Sequence, residues 1–84
     1  YLDNAPPSYP RAAQRLRQEG EVLLRVMVDA DGRPIDWSVA RSSGHARLDR
    51  AAMDAVAKWR FEPATRGGRP VKGEVIVPLD FRLR

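Results

Sequence analysis

Alternating apolar and polar positions predict strands in two regions of the chain. Residues 21–28 read EVLLRVMV, with an apolar side chain at every second position and two further apolar residues, Leu23 and Met27, between them. A strand that is apolar on both sides is typical of the centre of a sheet. Residues 71–83 contain the longest alternation, with apolar residues on one side and mainly charged residues on the other. We therefore expect a long, half-buried strand at the end of the chain.

A turn and a second strand follow the first strand. Residues 29–32 read DADG, and Asp and Gly tolerate the positive φ angles of tight hairpin connections. In residues 35–42, the apolar side chains of Ile35, Trp37 and Val39 alternate with polar or small ones. The sequence therefore predicts a β-hairpin.

Two segments have the periodicity of helices. Residues 11–18 contain strong helix formers, with Pro10 at a suitable first-turn position and Gly20 where a helix ends. The side chains expected to face the core in this first helix are Ala12, Ala13 and Leu16. A second, longer helix is predicted by apolar residues that recur on one helical face, namely Leu48, Ala52, Val56 and Trp59.

The element order helix, strand, strand, helix, strand restricts how the chain can assemble. We expect a two-layer α+β domain with topology α-β-β-α-β, in which a three-stranded antiparallel sheet of order 2-1-3 carries both helices on one face. The face covered by the helices would hold Val22, Trp37, Val75 and Phe81. The last strand is then an edge, which suits Pro78 because proline is confined to edges, strand ends and bulges. Because proline has no backbone N–H, we expect either a bulge at Pro78 or only a short stretch of ladder hydrogen bonds there.

Composition narrows the class of protein. The chain has 84 residues and a mass of 9.5 kDa, which is one small domain and excludes a two-domain enzyme. There is no cysteine, so disulfides, thiolate zinc sites and cysteine nucleophiles are excluded. A net charge of +4 makes an anionic partner worth considering. Three of the seven prolines lie in residues 1–10, which predicts the end of an extended linker or a strap across the domain.

Residues with catalytic or metal-binding chemistry are few. The only histidine, His45, has Ser42 and Ser43 before it and Asp49 after it, but a histidine in a Ser-Gly loop before a helix is usually a capping or turn residue. One histidine cannot build a two-histidine metal site. The turn at residues 29–32 lacks the later oxygen ligands of a calcium loop, and no glycine pattern fits a phosphate. We predict no enzyme activity and no cofactor.

A nucleic-acid-binding module is a weaker alternative. The chain is basic, and a split β-α-β arrangement is one way to build a platform for single strands. However, the aromatic residues Trp37, Trp59, Phe61 and Phe81 occupy core positions instead of forming a stacking ladder on an exposed face. We therefore expect no nucleic-acid partner.

Several short strings resemble the C-terminal domain of TonB proteins. These strings are Tyr9-Pro10 before a small-residue helix, Asp31-Gly32-Arg33 in the hairpin turn, Ser42-Ser43-Gly44-His45 with Leu48-Asp49, and Trp59-Arg60-Phe61-Glu62-Pro63, followed by the final alternating strand. The resemblance covers nearly the whole chain. It places residues 1–8 at the end of a proline-rich spacer and residues 9–84 in the domain itself.

The resemblance implies a periplasmic domain of an inner-membrane-anchored energy transducer. Members of this family associate with ExbB and ExbD through an N-terminal anchor and grip the Ton box, a short peptide of outer-membrane receptors for siderophores, haem or cobalamin. The receptor peptide pairs with the final strand in the family, close to the segment before Tyr-Pro. The partner-binding residues implied for this chain are Pro7, Ser8, Tyr9, Pro10, Val75, Ile76, Val77, Pro78, Leu79, Asp80 and Phe81.

Two points stay open at the level of sequence. A TonB-like or TolA-like periplasmic adaptor with a partner other than a receptor has the same expected fold. The apolar residues Leu23, Met27 and Ile76 lie on the outer face of the predicted sheet, where a second copy of the chain could cover them. The sequence therefore leaves a homodimer open.

Overall fold

The computed structural model describes residues 4–83. Its two helices and five strands are α1 (Arg11–Arg15), β1 (Gly20–Val28), β2 (Pro34–Arg41), α2 (Ala46–Val56), β3 (Ala64–Arg66), β4 (Arg69–Val71) and β5 (Gly73–Phe81). The three long strands form one antiparallel sheet of order β2-β1-β5, and β3 pairs with β4 in a separate hairpin. The predicted α+β architecture and the 2-1-3 strand order are confirmed.

The central position of β1 follows from its side chains. Val22, Leu24, Val26 and Val28 are buried on the face that the helices cover. Val26 lies opposite Trp37 on one side and opposite Val75 on the other. Each fully buried aliphatic side chain of this kind contributes about 1.5–3 kcal/mol to the free energy of unfolding. Burial of these side chains therefore fixes which face of the sheet the helices cover and how the neighbouring strands are aligned.

The core is completed by the second helix and the strand that follows it. Leu48, Ala52 and Val56 of α2 are fully buried, as the sequence predicted. Trp59 is also buried, but it follows the end of the helix instead of continuing its apolar face. Phe61 packs beside it, with ring centroids 6.1 Å apart. The aromatic residues after α2 thus close the core at one end of the sheet.

The first helix is shorter than predicted. It ends at Arg15, and Arg17 takes the left-handed conformation with φ 54°. Because the chain turns away there, Leu16 is 60% exposed, and its predicted burial was wrong. Ala13 is the residue of α1 that reaches the core.

The second strand departs from simple alternation. The pairing of β1 with β2 shifts register at two places, and the shifts leave Ile35 and Ala40 without opposite residues in β1. Each extra residue is accommodated as a bulge. Trp37 keeps the predicted inward phase and packs against the core, whereas Ile35 is 50% exposed because it lies at a bulge.

A short hairpin between α2 and β5 was not predicted. Its strands β3 and β4 have three residues each, and apart from the partly buried Val71 they are exposed, so they carry no hydrophobic periodicity. Gly67 and Gly68 form its turn, both with positive φ. As a result β5 begins at Gly73, two residues later than the alternation indicated.

The turn between β1 and β2 is tied to the aromatic segment after α2. The Asp29 carboxylate accepts hydrogen bonds from the backbone N–H groups of Asp31 and Arg33 at 2.9 and 2.8 Å. Gly32 has φ 87°, and its carbonyl oxygen accepts a hydrogen bond from the N–H of Phe61 at 2.8 Å. A Cβ atom on Gly32 would lie 2.1 Å from the carbonyl oxygen of Phe61. This position therefore requires glycine for both conformation and space.

Replacing Gly32 with alanine is expected to lower the free energy of unfolding by about 2–4 kcal/mol, because positive φ is strained and the new methyl group collides with backbone. Gly44→Ala is the matched control, since Gly44 also has positive φ (92°) but no atom lies within 4 Å of the added Cβ. It should cost only about 1 kcal/mol. Urea unfolding followed by tryptophan fluorescence measures both. Equal losses would contradict the close approach at Gly32.

Candidate partner-binding edge

The strand β5 has one paired side and one open side in the described sheet. It pairs along its whole length with β1, from Gly20 opposite Phe81 to Val28 opposite Gly73, without a register shift. The bulge expected as one alternative at Pro78 is therefore absent from this pairing. Because β5 is the last strand in the order β2-β1-β5, its other side is an edge of the three-stranded sheet.

The direction of the backbone groups along β5 follows from the hairpin turn. The N–H of Asp29 donates to the carbonyl oxygen of Arg33 at 2.9 Å. Asp29 therefore directs its backbone N–H and C=O groups to the side on which β2 lies. Backbone groups alternate sides along a regular strand, so Leu23 also points toward β2 and away from β5. Leu23 lies opposite Pro78, which makes this pair non-hydrogen-bonded. The nitrogen of Pro78 thus faces the open edge, where its missing N–H costs the sheet nothing.

The same alternation identifies which groups of β5 are available. Glu74, Ile76 and Asp80 share the phase of Pro78 and direct their N–H and C=O groups toward the open edge. Ile76 also has a side chain that is 46% exposed. The other predicted site residues of this strand have the opposite phase, turning their backbone to β1 and their side chains to the helix-covered face; these are Val75, Val77, Leu79 and Phe81.

The N-terminal segment, residues 4–10, crosses the domain surface and is named the strap. The Asn4 side chain forms two hydrogen bonds with the backbone of Arg60, donating to its carbonyl oxygen and accepting from its N–H, each at 2.8 Å. The indole N–H of Trp59 donates to the carbonyl oxygen of Ala5 at 2.7 Å. These bonds hold the start of the strap against the segment that follows α2.

Tyr9 holds the other end of the strap against β5. Its ring meets Phe81 edge to face, with centroids 5.4 Å apart, and its hydroxyl donates to the carbonyl oxygen of Gln18. Desolvation raises the pKa of the Tyr9 phenol above its ordinary value, Glu19 raises it further, and Arg82 opposes the change. Tyr9 is therefore a neutral hydrogen-bond donor at neutral pH.

The structure brings only some of the predicted residues of the strap and of β5 together. Tyr9 contacts Phe81, and Pro7 shares a cavity with residues 78–80, whereas Ser8, Pro10 and residues 75–77 do not line that cavity. This cavity of about 290 Å³ lies between the strap and β5 and is lined by Asn4, Pro6, Pro7, Trp59, Pro78, Leu79 and Asp80. Pro7 is half-buried and Ser8 is exposed, while Pro10 precedes the first turn of α1. The candidate site is therefore the open edge of β5, bounded at its Asp80 end by the strap.

The segment that contains Ser42, Ser43 and His45 forms a turn before α2, and Asp49 of α2 holds this turn by hydrogen bonds. The Asp49 carboxylate accepts hydrogen bonds from the Ser42 hydroxyl, from the Ser43 N–H at 2.9 Å and from the Ser43 hydroxyl at 2.8 Å. Partial burial raises the pKa of Asp49, but these hydrogen bonds outweigh it and hold the pKa below its ordinary value. Both serine hydroxyls bond to the carboxylate and neither to the imidazole of His45, which is not the arrangement of a nucleophile and its base.

A sequence model of the Gram-negative bacterial TonB protein C-terminal family matches residues 5–83. The chain belongs to the TonB C-terminal family. The match includes the strap from Ala5 onward as well as β5, so both sides of the candidate site lie within the matched residues.

Named relatives agree with this assignment. The chain is 51% identical over 83 residues to the protein tonB2 of Pseudomonas aeruginosa, covering 99% of this chain and 31% of that protein. It is 50% identical to a TonB protein of Xanthomonas campestris pv. campestris, covering 93% of this chain and 35% of that protein. The chain therefore spans about a third of the length of these curated relatives.

Solved structures share the fold. The solution NMR structure of the Pseudomonas aeruginosa TonB C-terminal domain superimposes with a TM-score of 0.80 at 38% identity, covering 98% of this chain and 83% of that one. A Helicobacter pylori TonB C-terminal domain superimposes with a TM-score of 0.71 at 29% identity, covering 93% and 70%. Within residues 4–83 of this TonB domain, neither helix is long and apolar enough to cross a membrane.

Sequence reasoning missed the residues that fasten the strap. The family resemblance places Asn4 and Ala5 in a spacer, and the sequence predicts Trp59 only as a core residue. The proline-rich composition of residues 1–10 was compatible with either a linker or a strap, and nothing in the pattern predicted a hydrogen bond between residues more than 50 positions apart. The hydrogen bonds of Asn4 and Ala5 thus tie the start of the strap to the rest of the TonB domain. The assignment of residues 1–8 to the end of a spacer stays a prediction, and residues 1–3 lie outside the described residues.

Hydrogen exchange tests the assignment of backbone directions in β5. The amides of Glu74 and Ile76 are expected to exchange at least about 100-fold faster than those of Val75 and Val77, because only the latter donate to β1. Native-state exchange followed by ¹⁵N NMR measures all four, and the amides of Leu24 and Val26, which face β5 from the central strand, serve as protected controls. Slow exchange at Ile76 together with fast exchange at Val77 would reverse the assignment.

Proposed function

We propose that this domain is the receptor-binding end of a TonB-type energy transducer, and that it binds by adding the Ton box of an outer-membrane receptor to β5. The observation that carries the proposal is the open edge of β5 in the described sheet, because the phase of the β1–β5 pairing directs the backbone groups of Glu74, Ile76 and Asp80 outward. Membership in the TonB C-terminal family supplies the class of partner. The imported ligand of the receptor is a siderophore, haem or cobalamin.

Strand addition suits a transducer that serves more than one receptor. An extended peptide gains its main-chain hydrogen bonds largely irrespective of its sequence, so affinity does not require one particular set of side chains. The charged side chains at this edge are already paired, with Glu74 at 3.6 Å from Arg25 and Asp80 at 3.1 Å from Arg82. An incoming strand therefore meets few uncompensated charges along the edge.

The strap gives the proposed grip a path for force. In the whole protein, an N-terminal anchor that associates with ExbB and ExbD would pull on the chain before Asn4. Asn4 and Ala5 are bonded to Arg60 and Trp59, and Tyr9 packs on Phe81 in the gripping strand. Tension arriving along the strap would thus reach the core and β5. The domain acts mechanically in this account, in the periplasm and without catalysis or a cofactor.

A second copy of the chain would compete for the same surface. Ile76 is exposed beside the open edge, while Leu23 and Met27 are half-buried on the outer face of the sheet. A homodimer through β5 would consume the donors that strand addition needs. It stays a prediction, and dimerisation at the β5 edge would lower the affinity for a receptor peptide.

Two substitutions with opposite expected effects test the strand-addition proposal. Pro78→Ala supplies the one missing outward N–H and is expected to tighten the binding of a synthetic Ton-box peptide by about threefold to tenfold, since one hydrogen bond contributes about 0.5–1.5 kcal/mol. Ile76→Pro removes an outward N–H and should weaken the binding by at least that factor. Isothermal titration calorimetry measures both affinities.

The control variant is Ile76→Val, which keeps the N–H and should bind within about twofold of the parent domain. Amide spectra of all three variants should keep the dispersion of the folded domain, because Pro78 and Ile76 donate nothing to β1. Equal affinity of the Ile76→Pro and Ile76→Val variants would show that the peptide does not bind by pairing with β5.

A further inference from the structure

A second, larger groove lies on the other side of the strap. Its volume is about 700 Å³, and it separates the strap from the outer face of α2. The strap stands between this groove and the cavity beside β5, because Asn4, Pro6 and Pro7 line both. The edge of β5 is therefore not part of this groove, and strand addition leaves it unused.

The floor of the groove is made of small side chains. Ala12 from α1 and Ala51 and Ala55 from α2 lie along it, and the strap prolines and Trp59 complete the apolar lining. Ala51 and Ala55 are one helical turn apart and are only half-buried. Short side chains let the backbone of an extended peptide approach the helix closely, and the prolines form a rigid opposite wall.

A row of charges borders the floor. Arg47, Arg50, Asp54 and Lys58 follow each other at intervals of three and four residues along α2 and the turn after it, which places them on one side of the groove. None of the four forms an ion pair or a side-chain hydrogen bond within residues 4–83. The row carries three positive charges and one negative charge, and the two arginines are adjacent at one end.

We propose that this groove binds an extended acidic segment of a protein partner. Alternate residues of an extended peptide are about 7 Å apart, close to the rise of about 6 Å between helical residues four positions apart. Side chains on one side of such a peptide can therefore reach successive positions of the charged row. Arg47 and Arg50 select carboxylates at one end, where guanidinium groups bind them bidentately, and Asp54 disfavours a carboxylate at the middle.

The apolar floor distinguishes this partner from a nucleic acid. A phosphate chain carries a charge at every nucleotide and gains little from alanines and prolines, and Asp54 would repel it. An acidic peptide places apolar residues on the floor between its carboxylates. The proposal concerns a surface other than β5 and does not depend on strand addition.

A titration of the ¹⁵N-labelled chain with a synthetic peptide tests the groove. The probe is a capped peptide in which glutamates alternate with alanine and proline, and the control probe replaces every glutamate by glutamine. The acidic peptide is expected to shift the amides of Arg47, Arg50, Ala51 and Ala55. The glutamine peptide should bind at least about tenfold more weakly, since it loses charge-assisted hydrogen bonds.

Pairs of variants with the same change in charge, one inside the groove and one outside it, distinguish binding in the groove from a general effect of surface charge. Arg50→Glu should weaken the binding of the acidic peptide by at least about tenfold, and Asp54→Asn should tighten it by about threefold. The controls are Arg69→Glu in β4 and Asp31→Asn in the β1–β2 turn, both expected to change the affinity by less than about twofold. Each control matches its partner variant in charge and lies outside the groove lining.

The outcomes are distinguishable. The groove is supported if Arg50→Glu weakens the binding of the acidic peptide, Arg69→Glu leaves it unchanged and Asp54→Asn tightens it. Equal loss with both arginine variants, equal binding of the two peptides, or tighter binding of single-stranded RNA than of the acidic peptide overturns it. Shifts at Ile76 instead of α2 would also overturn it while supporting the proposed edge pairing, so the two proposals fail separately.

Discussion

The unbroken pairing of β1 with β5 is the constraint on which the rest of the structure depends. Nine consecutive residue pairs, from Gly20–Phe81 to Val28–Gly73, fix the phase of β5. That phase sends Val77, Leu79 and Phe81 into the core. It also turns the backbone groups of Glu74 and Ile76 to the open edge, because alternate residues of a strand face opposite sides. Core packing and the candidate binding surface therefore follow from one register.

This register accommodates Pro78 because it turns the proline nitrogen away from β1. A shift of β5 by one residue would place its nitrogen against β1, where a ladder hydrogen bond would be lost, and would bring its charged side chains into the core. The strap adds a second restraint through Tyr9, which packs on Phe81 at the end of β5, and through Asn4 and Ala5, which bond to the segment after α2. The edge strand is thus held along one side and at one end, and its other side remains available.

Much of this arrangement was predictable from the sequence, because it rests on hydrophobic periodicity. The apolar positions of β1 and β5 and the buried stripe Leu48, Ala52 and Val56 repeat at the periods of a strand and a helix. What was missed has no such signal. The exposed hairpin β3–β4 buries little, the bulge at Ile35 depends on pairing with β1, and Leu16 is exposed because Arg17 takes positive φ.

The candidate site was likewise predictable from the sequence only in part. The alternation of residues 71–83 and Pro78 indicated an open edge, and the family resemblance indicated its use. The fastening of the strap depends on the hydrogen bonds of Asn4 and Trp59 to backbone atoms of distant residues, which no local pattern encodes. The outward direction of Ile76 required the register together with the bond from Asp29 to Arg33. Tertiary pairing therefore determined the parts of the site that sequence periodicity left undefined.

Strand addition is tested most directly by measuring short proton–proton distances between the domain and a bound Ton-box peptide. In a complex of the ¹⁵N,¹³C-labelled domain with unlabelled peptide, isotope-filtered nuclear Overhauser spectra should connect the amide protons of Glu74 and Ile76 to backbone protons of the peptide. Those of Val75 and Val77 should connect to β1 instead. Contacts of the peptide confined to α1, with none to β5, would contradict strand addition.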